Sequence, residues 1–129
     1  MELYIRGFVR LGTAVMLADD EAHPNERRAI RTAILELEPG YPPTKVNALI
    51  ERASQTTPDV ERVAEGLSEL LSPAGEHLLV EFVAAVAEAG VTDQAEIELV
   101  ATITRALDMD EHDVDAILAD RHAAPPPTA

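Results

Sequence analysis

Apolar residues recur along most of the chain every three or four positions, the spacing that places them on one face of an α-helix. Stripes of this kind occupy residues 5–16 and, most regularly, residues 60–71. A later stripe, with Ile97 and Val100 inward, predicts a further helix. Residues 78–89 are apolar on more than one side, which predicts a central, largely buried helix. The sequence contains no strand-like alternation, so the pattern predicts an all-α fold.

Prolines and small polar residues mark the predicted helix ends. Pro24 suits the first turn of a second helix, where its missing N–H leaves no hydrogen bond unmade. The segment 39–43 (PGYPP) stops that helix, and residues 57–58 (TP) open a fourth one. Residues 72–73 (SP) start the central helix. Asp110, with a second acid three positions later, resembles a capping box for a last helix.

The composition is that of one helical domain. The chain has 129 residues, 47% of them apolar, which is enough to build a core without covalent staples. Aromatic residues make up 3% and tryptophan is absent, so the core has to consist of Ala, Leu, Val and Ile. We therefore predict a single-domain bundle of about seven helices over residues 1–122. Residues 123–129, with three consecutive prolines, are predicted to form a disordered tail.

The charge of the chain restricts its partners. Ten basic residues against twenty-four acidic ones give a formal net charge of −14. Such a charge repels phosphate backbones and anionic lipid, so it argues against nucleic-acid partners and favours cationic partners or divalent ions. Arg27, Arg28 and Arg31 form the only basic cluster along the sequence, and we expect them to pair with nearby glutamates. The absence of cysteine excludes disulfides and thiolate metal sites.

The start of the sequence lacks the features of a signal peptide, because Glu2, Arg6 and Arg10 interrupt its apolar residues. Residues 78–89, the most apolar stretch, contain two glutamates and are too short to span a bilayer. We therefore expect a cytoplasmic protein without direct membrane insertion. An apolar helix face packs either internally or against a second copy, so the oligomeric state stays open.

The second half of the chain repeats the order of the first. A shift of seventy residues aligns four pairs of positions: Ala14 with Ala84, Asp20 with Gly90, Glu26 with Glu96, and Leu37 with Leu107. Each half reads as an apolar helix, a tight polar turn, a helix with an early glutamate, a short loop and a short apolar helix. This order predicts an internal pseudo-twofold repeat.

The two polar turns resemble the motif of a known family. Residues 18–26 (ADDEAHPNE) and 87–96 (AEAGVTDQAE) are similar to the pattern Ala-x-Asp-Gly-x-hydrophobic-x-x-x-Glu of the TerB-like family. That family includes tellurite-resistance TerB proteins and the N-terminal domain of DjlA-type co-chaperones. Asp20 replaces the glycine in the first copy, and Ala89 replaces the acid in the second. The closing phrase 106–110 (ALDMD) also resembles the family, so the resemblance covers nearly the whole chain.

The resemblance implies a TerB-like helical bundle that serves as a non-enzymatic accessory domain of the tellurite-resistance and stress-response type. It implies action by protein–protein interaction through the acidic face, with protein partners that include membrane-associated ones. A co-chaperone-type interaction module is an alternative. The sequence contains no glycine-rich phosphate loop, no serine-nucleophile elbow and no cysteine nucleophile, so we do not expect an enzyme.

Divalent-cation binding is a further alternative, and a divalent cation is the one cofactor that the sequence suggests. The acids of the two turns are regarded in the family as a metal or partner site, and here they are Asp19, Asp20, Glu26, Glu88 and Glu96. If the halves pack around a pseudo-twofold axis, these carboxylates converge and supply the oxygen ligands that Ca²⁺ prefers. Alternatively, the aspartates only end one helix and the later glutamates complement the dipoles of the next ones. Both interpretations stay open.

Two other metal-binding patterns are weaker. His23, beside the first turn, is either a transition-metal ligand or a solvent-facing turn residue. Asp108 and Asp110 suggest the start of an EF-hand loop. Such a loop requires glycine at its sixth position and glutamate at its twelfth, which here are Asp113 and Ala119. The EF-hand interpretation is therefore excluded.

Overall fold

The computed structural model describes residues 2–18, 24–55, 59–89, 94–110 and 112–117, with the backbone alone at residues 2 and 3. Six helices of the described residues come first along the chain: α1 Glu2–Met16, α2 Pro24–Leu37, α3 Pro43–Ser54, α4 Val60–Leu70, α5 Pro73–Ala89 and α6 Gln94–Ala106. A seventh, α7, covers residues 112–117. The described ranges contain no strand, so the predicted all-α bundle is confirmed. Within the same ranges, no helix has both the length and the apolar composition needed to cross a membrane.

Two predictions about this organisation remain untested. The pseudo-twofold repeat is not confirmed and stays a prediction. The predicted tail, residues 123–129, lies outside the described residues.

Side-chain caps fix the starts of α4 and α5. The carboxylate of Asp59 accepts a hydrogen bond from the backbone N–H of Arg62 at 3.3 Å, which satisfies one of the donors left open in the first turn of α4. The predicted start of this helix, residues 57–58, lies outside the described ranges. Ser72 has the role expected from sequence, because its hydroxyl accepts from the N–H of Gly75 at 3.2 Å.

Asp110 opens α7. Its carboxylate accepts a hydrogen bond from the N–H of His112 at 2.8 Å, and its carbonyl accepts from the N–H of Val114 at 3.1 Å. The expected acceptor is therefore present, and the donor to its side chain lies one residue nearer than Asp113. Asp108, just before this cap, has a φ of 55°, the left-handed conformation that turns the chain out of α6. Aspartate tolerates this conformation better than most residues, because its short side chain hydrogen-bonds locally.

Helices α1 and α5 form the centre of the bundle. Helix α1 contacts α2, α3, α4, α5 and α6, and α5 also contacts α2 and α6. The ring centroids of Phe8 in α1 and Phe82 in α5 are 5.5 Å apart. Gly12 of α1 lies directly against the Phe82 ring, so the two helices approach closely at this point. The prediction that residues 78–89 form a central helix is confirmed, although Leu78 itself is 44% exposed.

Polar contacts also join helices at the surface. Arg27 of α2 forms an ion pair with Glu51 of α3. The expected pairing of this arginine with a glutamate therefore occurs, and it links two helices. The hydroxyl of Ser68 in α4 donates to the carbonyl of Leu107 at 3.3 Å, which holds the end of α6 beside α4.

Candidate functional site

Glu26 and Glu96 are fully buried, each with 0% of its surface exposed. Each lies in the first turn of its helix, Glu26 in α2 and Glu96 in α6. Four positions later comes the next buried residue of the same helix, Ile30 in α2 and Val100 in α6. Because residues four apart share one face of a helix, both glutamates extend the faces that pack into the core.

Full burial of these two carboxylates needs a physical explanation. Removing an ionised carboxylate from water costs several kcal/mol unless it is hydrogen-bonded, ion-paired or bound to a cation. The positive end of a helix dipole returns about 0.3–1 kcal/mol of that penalty at an exposed site. Complementing the helix dipole therefore explains why Glu26 and Glu96 lie in a first turn, and it offsets only part of the cost of burying them.

The other predicted ligands differ from these two. Glu88, on the last turn of α5, is exposed. Asp19, Asp20 and His23 lie outside the described residues. Within the part of the chain that is described, no group of three or more acidic, histidine or cysteine side chains is arranged to hold a metal ion. The five-residue cation site therefore stays a prediction.

One residue of α6, Ile97, was placed inward incorrectly from sequence, whereas Val100 is buried as predicted. Ile97 is 50% exposed, and Glu96 has the inward position beside it. The sequence contained the signal, because one helical turn back from Val100 leads to Glu96. The same step back from Ile30 leads to Glu26. A charged residue continuing an apolar stripe at its start is thus the pattern that identifies both buried glutamates.

A groove of about 640 Å³ lies between α4, the start of α5 and the segment from the end of α6 through α7. Four carboxylate residues of the described ranges line it, and we call it the acidic groove: Glu76, Asp108, Asp110 and Asp113. Leu107, Met109 and Ile117 supply apolar surface to the same groove. His77 also lines it, and the Nε2 atom of His77 lies 2.9 Å from Oε1 of Glu81. The groove thus combines several negative charges with an apolar wall.

Tertiary structure assembles this groove from three parts of the chain. The bond from Ser68 to the Leu107 carbonyl holds the end of α6 against α4. The left-handed residue Asp108 then redirects the backbone, and the Asp110 cap fixes the start of α7. Glu76 is contributed by α5. From sequence, the aspartates were visible as an incomplete EF-hand loop and a capping box, and Glu76 was not linked to them because it belongs to a different helix.

These observations define a small acidic all-α domain with a carboxylate-lined groove and two glutamates buried at helix starts. The model of one protein family, described as tellurite resistance protein TerB, matches residues 7–119 of the 129-residue chain. The chain therefore belongs to the TerB family, and the resemblance seen in its polar turns is confirmed. No curated protein and no solved structure is significantly similar to it.

Proposed function

We propose that this TerB-family chain is a non-enzymatic accessory domain of the stress-response type that binds a basic segment of a partner protein in the acidic groove. The groove itself is the observation that supports this proposal. Its lining includes Glu76 from α5 and three aspartates from the segment after α6. A lysine- or arginine-rich segment is the polypeptide whose charge complements such a surface.

The apolar wall gives the groove a second means of recognition. Met109 and Ile117 offer surface to the aliphatic stems of lysine and arginine, which cover apolar groups while their charged ends reach carboxylates. Methionine adapts to different side chains because it is unbranched and polarizable. The net charge of −14 adds long-range attraction that speeds encounter with a cationic partner. Cytoplasmic loops of membrane proteins carry an excess of lysine and arginine, so a membrane-associated partner fits this proposal.

Fluorescence anisotropy with a short labelled peptide of Lys, Arg and Leu tests the proposal. The groove variant is Glu76→Gln combined with Asp113→Asn, and the control is Glu65→Gln combined with Glu69→Gln. The control removes two charges from exposed residues of α4 that do not line the groove. We expect the groove variant to bind about fivefold more weakly, because each exposed ion pair contributes roughly 0.2–1 kcal/mol, while the control stays near wild type. Equal weakening in both variants contradicts binding in the groove.

Divalent-cation binding is a second proposal, which the position of Glu26 and Glu96 in the first turns of the helices that follow the two polar turns supports. Hard ions such as Ca²⁺ take oxygen ligands, which carboxylates supply. In this proposal Asp19, Asp20 and Glu88 complete the ligand set around the two buried glutamates.

Thermal unfolding with and without millimolar CaCl₂ or MnCl₂ tests the cation proposal. An ion that binds only the folded state at about 100 times its Kd stabilises it by about 2.7 kcal/mol. Glu26→Gln and Glu96→Gln are expected to abolish the ion-dependent rise in the unfolding midpoint, because the neutral amide keeps the shape and loses the charge. Glu65→Gln is the matched exposed control and is expected to keep the rise. A wild-type midpoint that ignores both ions contradicts this proposal and leaves the peptide test unaffected.

A further inference from the structure

Four of the nine arginines of the chain line a second pocket, with a volume of about 360 Å³. Arg6 and Arg10 come from α1, Arg52 from α3 and Arg62 from α4, and we call this cavity the arginine pocket. No residue that the structure describes lines both this pocket and the acidic groove. The basic cluster noted along the sequence was on α2, and tertiary structure forms this larger one by bringing Arg52 and Arg62 beside the arginines of α1.

Helix packing explains why these arginines line one pocket. Arg6 and Arg10 are four positions apart, which places both on one face of α1. Helix α1 packs against α3 and α4, so exposed residues at the edges of those helices lie beside that face. The pocket is also lined by Leu49, Ala53 and Val63. The pocket therefore combines four arginines with an apolar wall formed by these three residues.

The charge of this pocket differs from that of the rest of the molecule. Among the described residues, Asp59 is the one acid that lines it, and the Asp59 carboxylate caps α4 by accepting from a backbone N–H. No ion pair joins any of the four arginines to a described carboxylate, in contrast to Arg27 with Glu51. Acidic residues outnumber basic ones by 24 to 10, so intramolecular partners are plentiful in this chain. Four neighbouring positive charges repel one another until an anion neutralises them.

We propose that the arginine pocket binds a small soluble phosphate monoester whose organic part rests on the apolar wall. Guanidinium groups bind phosphate oxygens through paired, parallel hydrogen bonds, so several arginines around one opening suit a dianion. Leu49 and Val63 give the organic part of the ester an apolar contact. A volume of about 360 Å³ suits a phosphate monoester with a small organic group. The net charge of −14 repels anionic bilayers and nucleic acids, which selects a small soluble ligand over a phosphate-bearing surface.

Isothermal titration calorimetry with phenyl phosphate and with inorganic phosphate tests this proposal. The pocket variant is Arg10→Gln combined with Arg52→Gln, and the control is Arg28→Gln combined with Arg31→Gln. The control removes the same number of charges from α2, at residues that do not line the pocket. We expect wild type and control to bind phenyl phosphate alike and the pocket variant to bind about tenfold more weakly, because it loses two charge-assisted contacts. Inorganic phosphate is expected to bind more weakly than phenyl phosphate to wild type.

Three results would overturn the proposal. The first is no heat of binding between wild type and phenyl phosphate at millimolar concentration. The second is equal weakening in the pocket and control variants, which means that overall charge sets the affinity. The third is equal affinity for inorganic phosphate and phenyl phosphate, which means that the apolar wall takes no part. Far-UV circular dichroism checks that the variants are folded, which we expect because all four pocket arginines are exposed.

Discussion

Thr13 of α1 places a hydroxyl group in the hydrophobic core of the bundle, where the residue is 1% exposed. Its Oγ1 atom has no hydrogen-bond partner among the described residues. A buried hydroxyl in this situation loses its bonds to water and gains nothing in return, at a cost of about 1–3 kcal/mol. Thr13→Val replaces the hydroxyl with a methyl group of similar shape. We expect this change to raise the free energy of unfolding by about 1 kcal/mol, measured by urea denaturation.

Thr104 is the matched control for this prediction. It is also buried, with 7% of its surface exposed, but its hydroxyl donates to the carbonyl of Ala101 at 2.9 Å. Thr104→Val removes a hydrogen bond that is made, so we expect it to leave stability unchanged or to lower it. A Thr13→Val protein less stable than wild type contradicts the prediction.

At the residue scale, hydropathy alone does not identify a charged residue that is buried. Assigning the helix faces by apolar character alone placed Ile97 inward, whereas the structure buries Glu96 and leaves Ile97 half exposed. Which of two adjacent residues faces the core depends on how α6 rotates against α4 and α5, and the local pattern does not determine that rotation. Glu26 and Glu96 aligned in the seventy-residue shift, and both are buried. Their burial was not recognised from sequence, and the repeat that aligns them stays a prediction.

Helices are the elements that the sequence predicted well, because their signals are local. The stripe of α4 and the Ser72 cap of α5 depend on residues within one or two turns. The grouping of surface residues depends instead on which helices become neighbours. The acidic groove and the arginine pocket each draw side chains from three separate segments, so neither was visible in the sequence order. Neither Glu76 nor Arg52 has a local pattern that points to its site.

Close approach of α1 and α5 depends on Gly12. A Cβ atom at this position would lie 2.9 Å from two ring atoms of Phe82 and 3.3 Å from Ile30. Gly12→Ala gains about 1 kcal/mol of helix propensity but forces apart a packed core, which typically costs about 1–3 kcal/mol. We expect a net loss of stability of about 1 kcal/mol, measured by chemical denaturation.

Gly66 is the control that separates the effect of helix propensity from the effect of core packing. It lies inside α4, is exposed, and has no atom within 4 Å of a Cβ built on it. Gly66→Ala is therefore expected to raise the free energy of unfolding by about 0.5–1 kcal/mol, through propensity alone. The packing argument fails if both alanine variants stabilise the protein to the same degree.

Charge at the scale of the whole molecule is uneven. The net charge of −14 could be counted from the sequence, and it favours cationic partners, which stay a prediction. The structure adds that Glu76 and three aspartates share one groove, while Arg6, Arg10 and two further arginines share one pocket. The net charge does not reveal this separation of acidic from basic residues, because the separation depends on the packing of α1, α3, α4 and α5.

Repulsion between the acidic residues of the surface predicts that salt stabilises the protein. Raising NaCl from about 10 mM to about 0.15 M shortens the Debye length from roughly 30 to 8 Å, so repulsion across the surface is screened. We expect the unfolding midpoint to rise by about 3–6 °C, roughly 1 kcal/mol for a domain of this size. NaCl is the appropriate salt because a divalent salt would combine screening with the proposed cation binding at the buried glutamates. Glu65→Lys with Glu69→Lys, at exposed sites of α4, changes the net charge from −14 to −10 and should reduce the rise. An equal rise in both proteins means that salt acts by something other than repulsion between surface charges.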